Sequence, residues 1–281
     1  MNDKINPFLR HILALMLCPI LFLPVSCAGE TIESALQNSA RAPTPTGDST
    51  EVSLLQAKLE RLYTWQYHEE PDFNIDSLSE VLSHELAAYL STQPFPIDEH
   101  TINLGKIVTA DSLLAIYTYQ HSSGGTAGWL NTSIVQWKKS NGKFGAKILK
   151  LNAFFIESHI LAQTKEHTLY LFIGGFRGSS RLEVAVAPVI ELTRDSLNLN
   201  YPAFYGKYPW LLYYDDKYTP ENYCIACIDY LPERKQIVIE NLGSEDQVGV
   251  KTNQQQIKNY LRGRKKVSYT FNGKQFIEDL P

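Results

Sequence analysis

The chain lacks several features that mark large protein classes. Its four cysteines include one Cys-x-x-Cys pair and no second such pair, so a zinc site made of two cysteine pairs is excluded. Basic residues are outnumbered by acidic ones, 26 to 30, whereas a nucleic-acid partner demands a basic surface. We therefore expect no nucleic acid among the partners of this protein.

Two common catalytic motifs are absent as well. The segment 121–126 combines a histidine, hydroxyls and paired glycines, but it does not match the Gly-x-Ser-x-Gly elbow of hydrolases. The glycine-rich segment 174–181 lacks the Lys-Ser/Thr ending of a phosphate-binding loop. Both segments are interpreted as turns between strands. The sequence thus predicts no catalytic residue, no metal ligand and no cofactor.

The chain has no apolar run long enough for a permanent membrane span. Its longest run, Ile12–Leu23, covers about a dozen residues, whereas a spanning helix needs roughly 20. Basic residues precede this run and small residues follow it, an order typical of a bacterial export signal. We predict a signal peptide over residues 1–26 and a lipid such as palmitate on Cys27. Ordinary cleavage near Ala28 is the alternative.

Residues 27–50 are rich in Ser, Thr, Ala and Pro and show little apolar periodicity. Such a composition cannot bury a core and behaves as a flexible tether. Behind a lipidated Cys27, the tether would hold a folded body, residues 51–281, away from a membrane. We therefore expect a cell-envelope lipoprotein anchored to the outer membrane. A secreted or periplasmic soluble protein is the alternative.

Helical periodicity is confined to residues 51–92. The first stripe of apolar residues, spaced as on one helix face, consists of Leu55, Leu59, Leu62 and Trp65. A second helix is predicted to open at Ser77, because Ser77 and Glu80 resemble a capping box, and to end before Pro94. His84 on this helix is interpreted as a partly exposed histidine and not as a ligand or a base.

From residue 101 to residue 281 the periodicity becomes two, which predicts strands joined by short polar turns. The six predicted turns are centred at Ala110–Ser112, Ser140–Lys143, Thr164–His167, Arg194–Ser196, Pro232–Arg234 and Asn272–Gly273. An open sheet of about ten or more strands would curl or split. We therefore predict an α+β fold that is mainly β, with two N-terminal helices followed by a large antiparallel body of hairpins. That body is a sandwich, a barrel or a set of propeller-like blades.

The segment Tyr201–Tyr223 holds nine aromatic residues in 23 positions, although aromatic residues make up 11% of the chain. Prolines and a glycine in this segment favour a long ordered loop. Exposed rings bind the apolar faces of sugars or partner proteins, and adjacent carboxylates can bind hydroxyls or a cation. The candidate ligand-binding residues are Tyr208, Trp210, Tyr213, Tyr214, Asp215 and Asp216. The open alternative is that the rings pack into the β body.

Cys224 and Cys227 have the Cys-x-x-Cys spacing that suits a redox pair at the start of a helix. Their segment has the pattern of a strand, in which residues three apart point to opposite faces. Buried free thiols or a structural disulfide are therefore favoured over redox chemistry.

Residues 106–119 form a strand, a turn and a second strand that ends in a tyrosine. A Gly-Gly-Thr turn follows, and then a strand that carries Gln136 and Trp137. This order resembles a pattern in uncharacterised secreted proteins and lipoproteins of the Bacteroidetes, to which the closing hairpin 269–276 is also similar. The resemblance implies an exported protein and implies no activity.

Together these patterns predict an envelope lipoprotein that is a binding module rather than an enzyme, with a glycan or an envelope protein as its partner. The alternative is an envelope hydrolase that acts on glycans. Such an enzyme would need two carboxyl groups about 5 Å or about 6.5–9.5 Å apart, and the sequence does not identify this pair.

Overall fold

The fold is organised by a central antiparallel sheet whose two faces are both covered by other elements. The computed structural model describes residues 49–64, 74–97, 101–122, 129–177, 183–215, 228–240, 247–251, 256–260 and 266–279. Cys27 and the tether as far as residue 48, Trp65, Asp216 and the cysteines at 224 and 227 lie outside these residues. The last two tether residues, 49 and 50, are described and are helical.

Two helices precede the strands in the described part of the chain, α1 (Ser49–Thr64) and α2 (Ile75–Thr92). The strands that follow are β1 (Gly105–Val108), β2 (Leu114–Ser122), β3 (Trp129–Lys138), β4 (Phe144–Leu149), β5 (Phe154–Gln163), β6 (His167–Arg177), β7 (Glu183–Thr193), β8 (Leu197–Asn198), β9 (Trp210–Asp215), β10 (Asp229–Leu231), β11 (Gln236–Glu240), β12 (Gln247–Lys251), β13 (Gln256–Tyr260), β14 (Lys266–Phe271) and β15 (Phe276–Glu278). Each of the six predicted turns joins two neighbouring antiparallel strands, so these predictions are confirmed.

The strands form three sheets. The helix-side sheet has the order β1-β2-β3-β4, the outer sheet has the order β10-β11-β14-β15, and the central sheet has the order β13-β12-β9-β7-β6-β5 with β8 beside β7. The mainly antiparallel β character of the prediction is therefore confirmed. Within the described residues the sheets are open and stacked, as in a sandwich, and they do not close into a barrel.

Alternation along β6 shows how the layers stack. Tyr170 and Phe172 lie in the apolar cluster shared with the helix-side sheet, whereas Leu171 and Ile173 lie in the cluster shared with the outer sheet. Side chains of a strand alternate between its faces, so a strand that is buried on both faces becomes a nearly continuous apolar run. The other face of the helix-side sheet packs against α1 and α2. The layer order is helices, helix-side sheet, central sheet, outer sheet.

Helix α2 begins slightly earlier than predicted. Asn74 is its N-cap, and the side-chain oxygen of Asn74 accepts a hydrogen bond from the backbone N of Ser77 at 2.9 Å. Ser77 therefore lies inside the first turn, and the predicted capping box of Ser77 with Glu80 is wrong. Asn is as good an N-cap as Ser, and the earlier start brings Ile75 into the core. The apolar stripe of α1 is buried as predicted, at Leu55, Leu59 and Leu62.

Gln136, fully buried on β3, joins the end of α2 to the helix-side sheet. Its Nε2 donates to the backbone O of Leu90 at 2.6 Å and to that of Gln93 at 3.2 Å. Its Oε1 accepts from the Tyr117 hydroxyl at 2.9 Å, and that hydroxyl accepts from the backbone N of Ile97 at 3.0 Å. The last carbonyls of a helix have no partner within the helix, so Gln136 satisfies groups that would otherwise be buried without one.

Burial raises the pKa of Tyr117 to about 12, against a smaller opposite effect of the hydrogen bond from Ile97. The hydroxyl therefore stays protonated at neutral pH and can donate to Gln136. The network is electrically neutral, which suits its position between a helix and a sheet.

We expect Gln136→Leu to lower the free energy of unfolding by about 1–3 kcal/mol, because buried carbonyls and the Tyr117 hydroxyl lose their partner. Urea unfolding followed by circular dichroism measures this change. Gln163→Leu, the same substitution at an exposed position at the end of β5, should change the free energy of unfolding by about 0.5 kcal/mol or less. Equal losses in the two variants would contradict the role given to Gln136.

Candidate functional site

The candidate ligand-binding residues of the aromatic segment are buried wherever their side chains are described. Tyr208, Trp210 and Tyr213 are only 3%, 1% and 3% exposed. Residues 210–215 form β9, which pairs with β7 and β12 inside the central sheet. The strand replaces the long ordered loop expected at these residues, and the buried rings agree with the alternative that they pack into the β body. Trp210 packs toward the helix-side sheet, and Tyr208 and Tyr213 pack toward the outer sheet.

The sequence of β9 does contain a pattern that predicts a buried strand. Five successive apolar or aromatic residues, from Trp210 to Tyr214, are the pattern of a strand that is buried on both faces. Tyr214 pairs with Val184 of β7 and Asp215 pairs with Glu183 through their backbones. The side chains of Tyr214 and Asp215 are not among the described ones, and Asp216 lies outside the described residues.

The described part of the glycine-rich segment, residues 174–177, lies inside β6, which corrects its interpretation as a turn. Residues 178–181 lie outside the described residues. Gly174 and Gly175 lie in β6 and pair with β5 on one side and β7 on the other. A Cβ at Gly174 would collide with the backbone O of Phe154. The glycine is therefore needed because β5 and β6 approach closely, which accounts for it without a phosphate.

A groove of about 470 Å³ lies between α1, the edge strand β1, β2 and the start of β5. Its volume falls within the range of about 300–1,000 Å³ that is usual for ligand sites. No local sequence pattern predicts this groove, because its walls come from four elements that are distant in the chain.

Helix α1 supplies one wall of the groove. Gln56, Glu60, Tyr63 and Thr64 line it, and their spacing of three to four residues places them on one helix face. Tyr63 is 56% exposed, and its ring stacks on that of Trp129, with the centroids 5.2 Å apart and the planes 23° apart. The stack holds the Tyr63 ring in place while much of it remains open to solvent.

Amide and hydroxyl side chains form the uncharged polar part of the lining. Gln56 accepts at Oε1 from the backbone N of Asn103 at 3.1 Å and donates from Nε2 to Glu60 at 3.1 Å. Thr118 and Gln120 of β2 line the other side and are held by hydrogen bonds within the helix-side sheet. An amide has two donor hydrogens and two acceptor lone pairs, so these side chains keep capacity for a ligand.

The charge of the groove is balanced. Its lining contains one carboxylate, Glu60, and one ammonium, Lys106, whose Nζ donates to the backbone O of Ile97 at 3.2 Å. Rings of Tyr119, Phe154 and Phe155 provide the apolar part of the lining. The arrangement suits a neutral ligand that has both hydroxyl groups and apolar faces.

A second cleft, of about 420 Å³, lies between α2 and the ends of β2, β3 and β4. Asp76, Glu80 and His84 follow one another at four-residue intervals along α2 and line this cleft together with His121 of β2. His121 is only 4% exposed. The structure thus places in one cleft two histidines that no sequence pattern connects.

Within the described ranges, no three His, Cys, Asp or Glu side chains come together as a metal site would require. Neither described helix has the length and apolarity of a membrane span.

Comparison of the chain with protein-family models, curated proteins and solved structures found no match. The resemblance to secreted proteins of the Bacteroidetes therefore stays a prediction.

We expect Trp210→Ala to lower the free energy of unfolding by about 3–5 kcal/mol, because it removes a large ring from the core. Tyr205→Ala is the matched control, since Tyr205 belongs to the same aromatic segment and is 44% exposed. It should lower the free energy of unfolding by about 1 kcal/mol or less. Chemical denaturation of both variants measures the difference, and a small effect at Trp210 would contradict its placement in the core.

Proposed function

We propose that this protein is a non-enzymatic binding module of the cell envelope and that the groove between α1 and β1 binds a glycan. The observation that carries the proposal is the exposed ring of Tyr63, fixed by its stack on Trp129 beside a lining of amides and hydroxyls. The candidate residues Tyr208, Trp210 and Tyr213 have no part in this proposal, because their rings are buried.

The chemistry of a sugar matches this lining. One face of a pyranose ring presents C–H groups, which pack on the face of an aromatic ring such as Tyr63. The hydroxyls around the sugar both donate and accept hydrogen bonds, and the amides of Gln56 and Gln120 can do the same. Because Gln56 and Gln120 are already held by other side chains or backbone, little conformational entropy is lost on binding.

A second candidate function, glycan hydrolysis, is favoured by the cleft beside α2. Asp76 and Glu80 line it together, and side chains four residues apart on a helix are about 5–6 Å apart at Cβ. Two carboxyl groups that start from this Cβ separation can reach the carboxyl–carboxyl distance of about 5 Å used by retaining glycosidases. His84 and His121 add groups that could move protons.

Tyr63→Ala should weaken glycan binding about five- to tenfold, the ratio produced by the loss of roughly 1–1.5 kcal/mol of ring stacking. It should leave the melting temperature nearly unchanged, since Tyr63 is largely exposed. A glycan array probed with the compact unit Pro45–Pro281 identifies the ligand, and titration of that glycan measures the affinity.

Tyr205→Ala is the control for this measurement, because it removes an exposed tyrosine that does not line the groove. Equal binding by the Tyr63 variant and the native protein would overturn the proposed site. If the bound glycan is cleaved, with new reducing ends that Glu80→Gln abolishes, hydrolysis in the second cleft replaces the binding proposal.

We further propose that the protein is anchored to the outer membrane through a lipid on Cys27, which the order of basic, apolar and small residues before it supports. Cys27→Ala should abolish incorporation of labelled palmitate and move the protein from the detergent phase to the aqueous phase. The native chain is the control. Absence of label in the native chain would contradict the anchor and would favour a secreted or periplasmic protein.

A further inference from the structure

A basic cleft of about 380 Å³ lies where three turns meet, the β3–β4 turn, the β5–β6 turn and the β7–β8 turn. Four permanent cations line it, Lys138, Lys139, Lys165 and Arg194. This concentration of positive charge contrasts with a chain whose net charge is −4. None of the residues that line the basic cleft lines the groove beside α1.

The cations of the basic cleft are offset only in part by the described carboxylates. Among the side chains that the structure describes, none of the four forms an ion pair within 4 Å. The nearby Glu191 is already engaged, with one oxygen 2.8 Å from Nδ1 of His167 and the other accepting from Asn198 at 3.1 Å. Glu166 is the one carboxylate in the described lining.

Asp195 borders the basic cleft but is directed to the β3–β4 turn. Its Oδ1 accepts from the hydroxyl of Ser140 at 2.7 Å and from the backbone N of Ser140 at 3.1 Å. These two hydrogen bonds lower the pKa of Asp195, and the positive charges of Lys139 and Arg194 lower it further. The lowered pKa of Asp195 therefore reflects in part the positive potential of the basic cleft.

The turns that carry the cations are held rigidly. The backbone N of Ser140 also donates to the backbone O of Arg194 at 3.2 Å, which joins the β3–β4 turn to the β7–β8 turn. In the β5–β6 turn, Oγ1 of Thr164 accepts from the backbone N of Glu166 and of His167, at 3.2 and 3.1 Å. A ligand would therefore meet a site whose backbone is already in place.

Lys139 is positioned by a ring. Its Nζ lies 5.9 Å from the ring centroid of Trp137, within the range of a cation–π contact. Nε1 of Trp137 in turn donates to the backbone O of Asp195 at 3.4 Å. The ring thus connects the cation of one turn to the backbone of another.

We propose that the basic cleft binds a phosphate-bearing ligand. Four cations that form no ion pair with a described side chain match a group of more than one negative charge. The guanidinium of Arg194 suits two oxygens at once, and the lysines act as point charges. Hydroxyls of Ser140, Thr164 and Thr193 also line the cleft, but each donates its hydrogen within the protein. Recognition of the phosphate therefore falls to the four cations. The volume, near the low end for ligand sites, fits a phosphorylated small molecule or the headgroup of an anionic lipid.

Calorimetric titration of the full chain with pyrophosphate at low ionic strength tests the proposal. Every protein carries Cys27→Ala, so that no lipid contributes. The double variant Lys165→Gln, Arg194→Gln should bind at least about tenfold more weakly, since each lost charge-assisted hydrogen bond is a large part of the affinity. Both residues are exposed, so the melting temperature should stay the same.

The matched control is Lys150→Gln, Arg234→Gln, which removes the same charge at exposed positions outside the basic cleft. A parallel arm measures binding to vesicles of phosphatidylglycerol with phosphatidylcholine and to vesicles of phosphatidylcholine alone.

Pyrophosphate binding that only the cleft variant weakens supports a soluble phosphate ligand. Binding to the anionic vesicles alone, weakened by the same variant, supports a lipid headgroup as the source of the phosphate. The proposal is overturned if neither probe binds, or if the control variant loses as much affinity as the cleft variant.

Discussion

The constraint on which the structure depends is that the central sheet must bury both of its faces. Successive side chains of β6, such as Leu171 and Phe172, enter different apolar clusters, and exposing either face would cost about 25 cal/mol per Å² of apolar surface. A layer is therefore needed on each side. The helix-side sheet covers one face and the outer sheet covers the other. The helix-side sheet is itself apolar on its far face, at residues such as Tyr117, so it requires α1 and α2. The order of the four layers thus follows from one requirement.

The same constraint decides what the aromatic residues do. Phe204 stacks on Phe276 with the centroids 5.1 Å apart and the planes 8° apart, and both rings fill the layer between the central and outer sheets. Trp210 fills the layer on the other side. A high density of rings in the sequence is therefore equally compatible with a core and with a binding surface. A ring inside a layer belongs to the core, whereas a ring at the edge of a layer can form a binding surface. Tyr63, in the last turn of α1, is at such an edge.

Local signals were sufficient for the turns and the first helix. The Asn272–Gly273 turn is an example, because Oδ1 of Asn272 accepts from the backbone N of Lys274 and of Gln275, and all of these residues are neighbours in the chain. The candidate sites could not be predicted in this way. Gln56 meets Asn103 only because α1 packs against the helix-side sheet, and the four cations of the basic cleft come from three separate turns. The position of β9 likewise depended on its pairing with β7 and β12, which its own apolar run does not encode.

Because the faces of the sheets are buried against other layers, only the edges and turns remain accessible to a ligand. The groove beside α1 uses the edge strand β1, and the basic cleft uses three turns. Strand β5 connects the two, since Phe154 and Phe155 at its start line the groove and Gln163 at its end lines the basic cleft. A strand of this length spans roughly 30 Å at 3.3 Å per residue, so ligands at the two sites would not compete for space. Because the groove has balanced charge and the described lining of the basic cleft has four cations against one carboxylate, the two sites also select different chemistry. Two ligands of different chemistry could therefore occupy this protein at the same time.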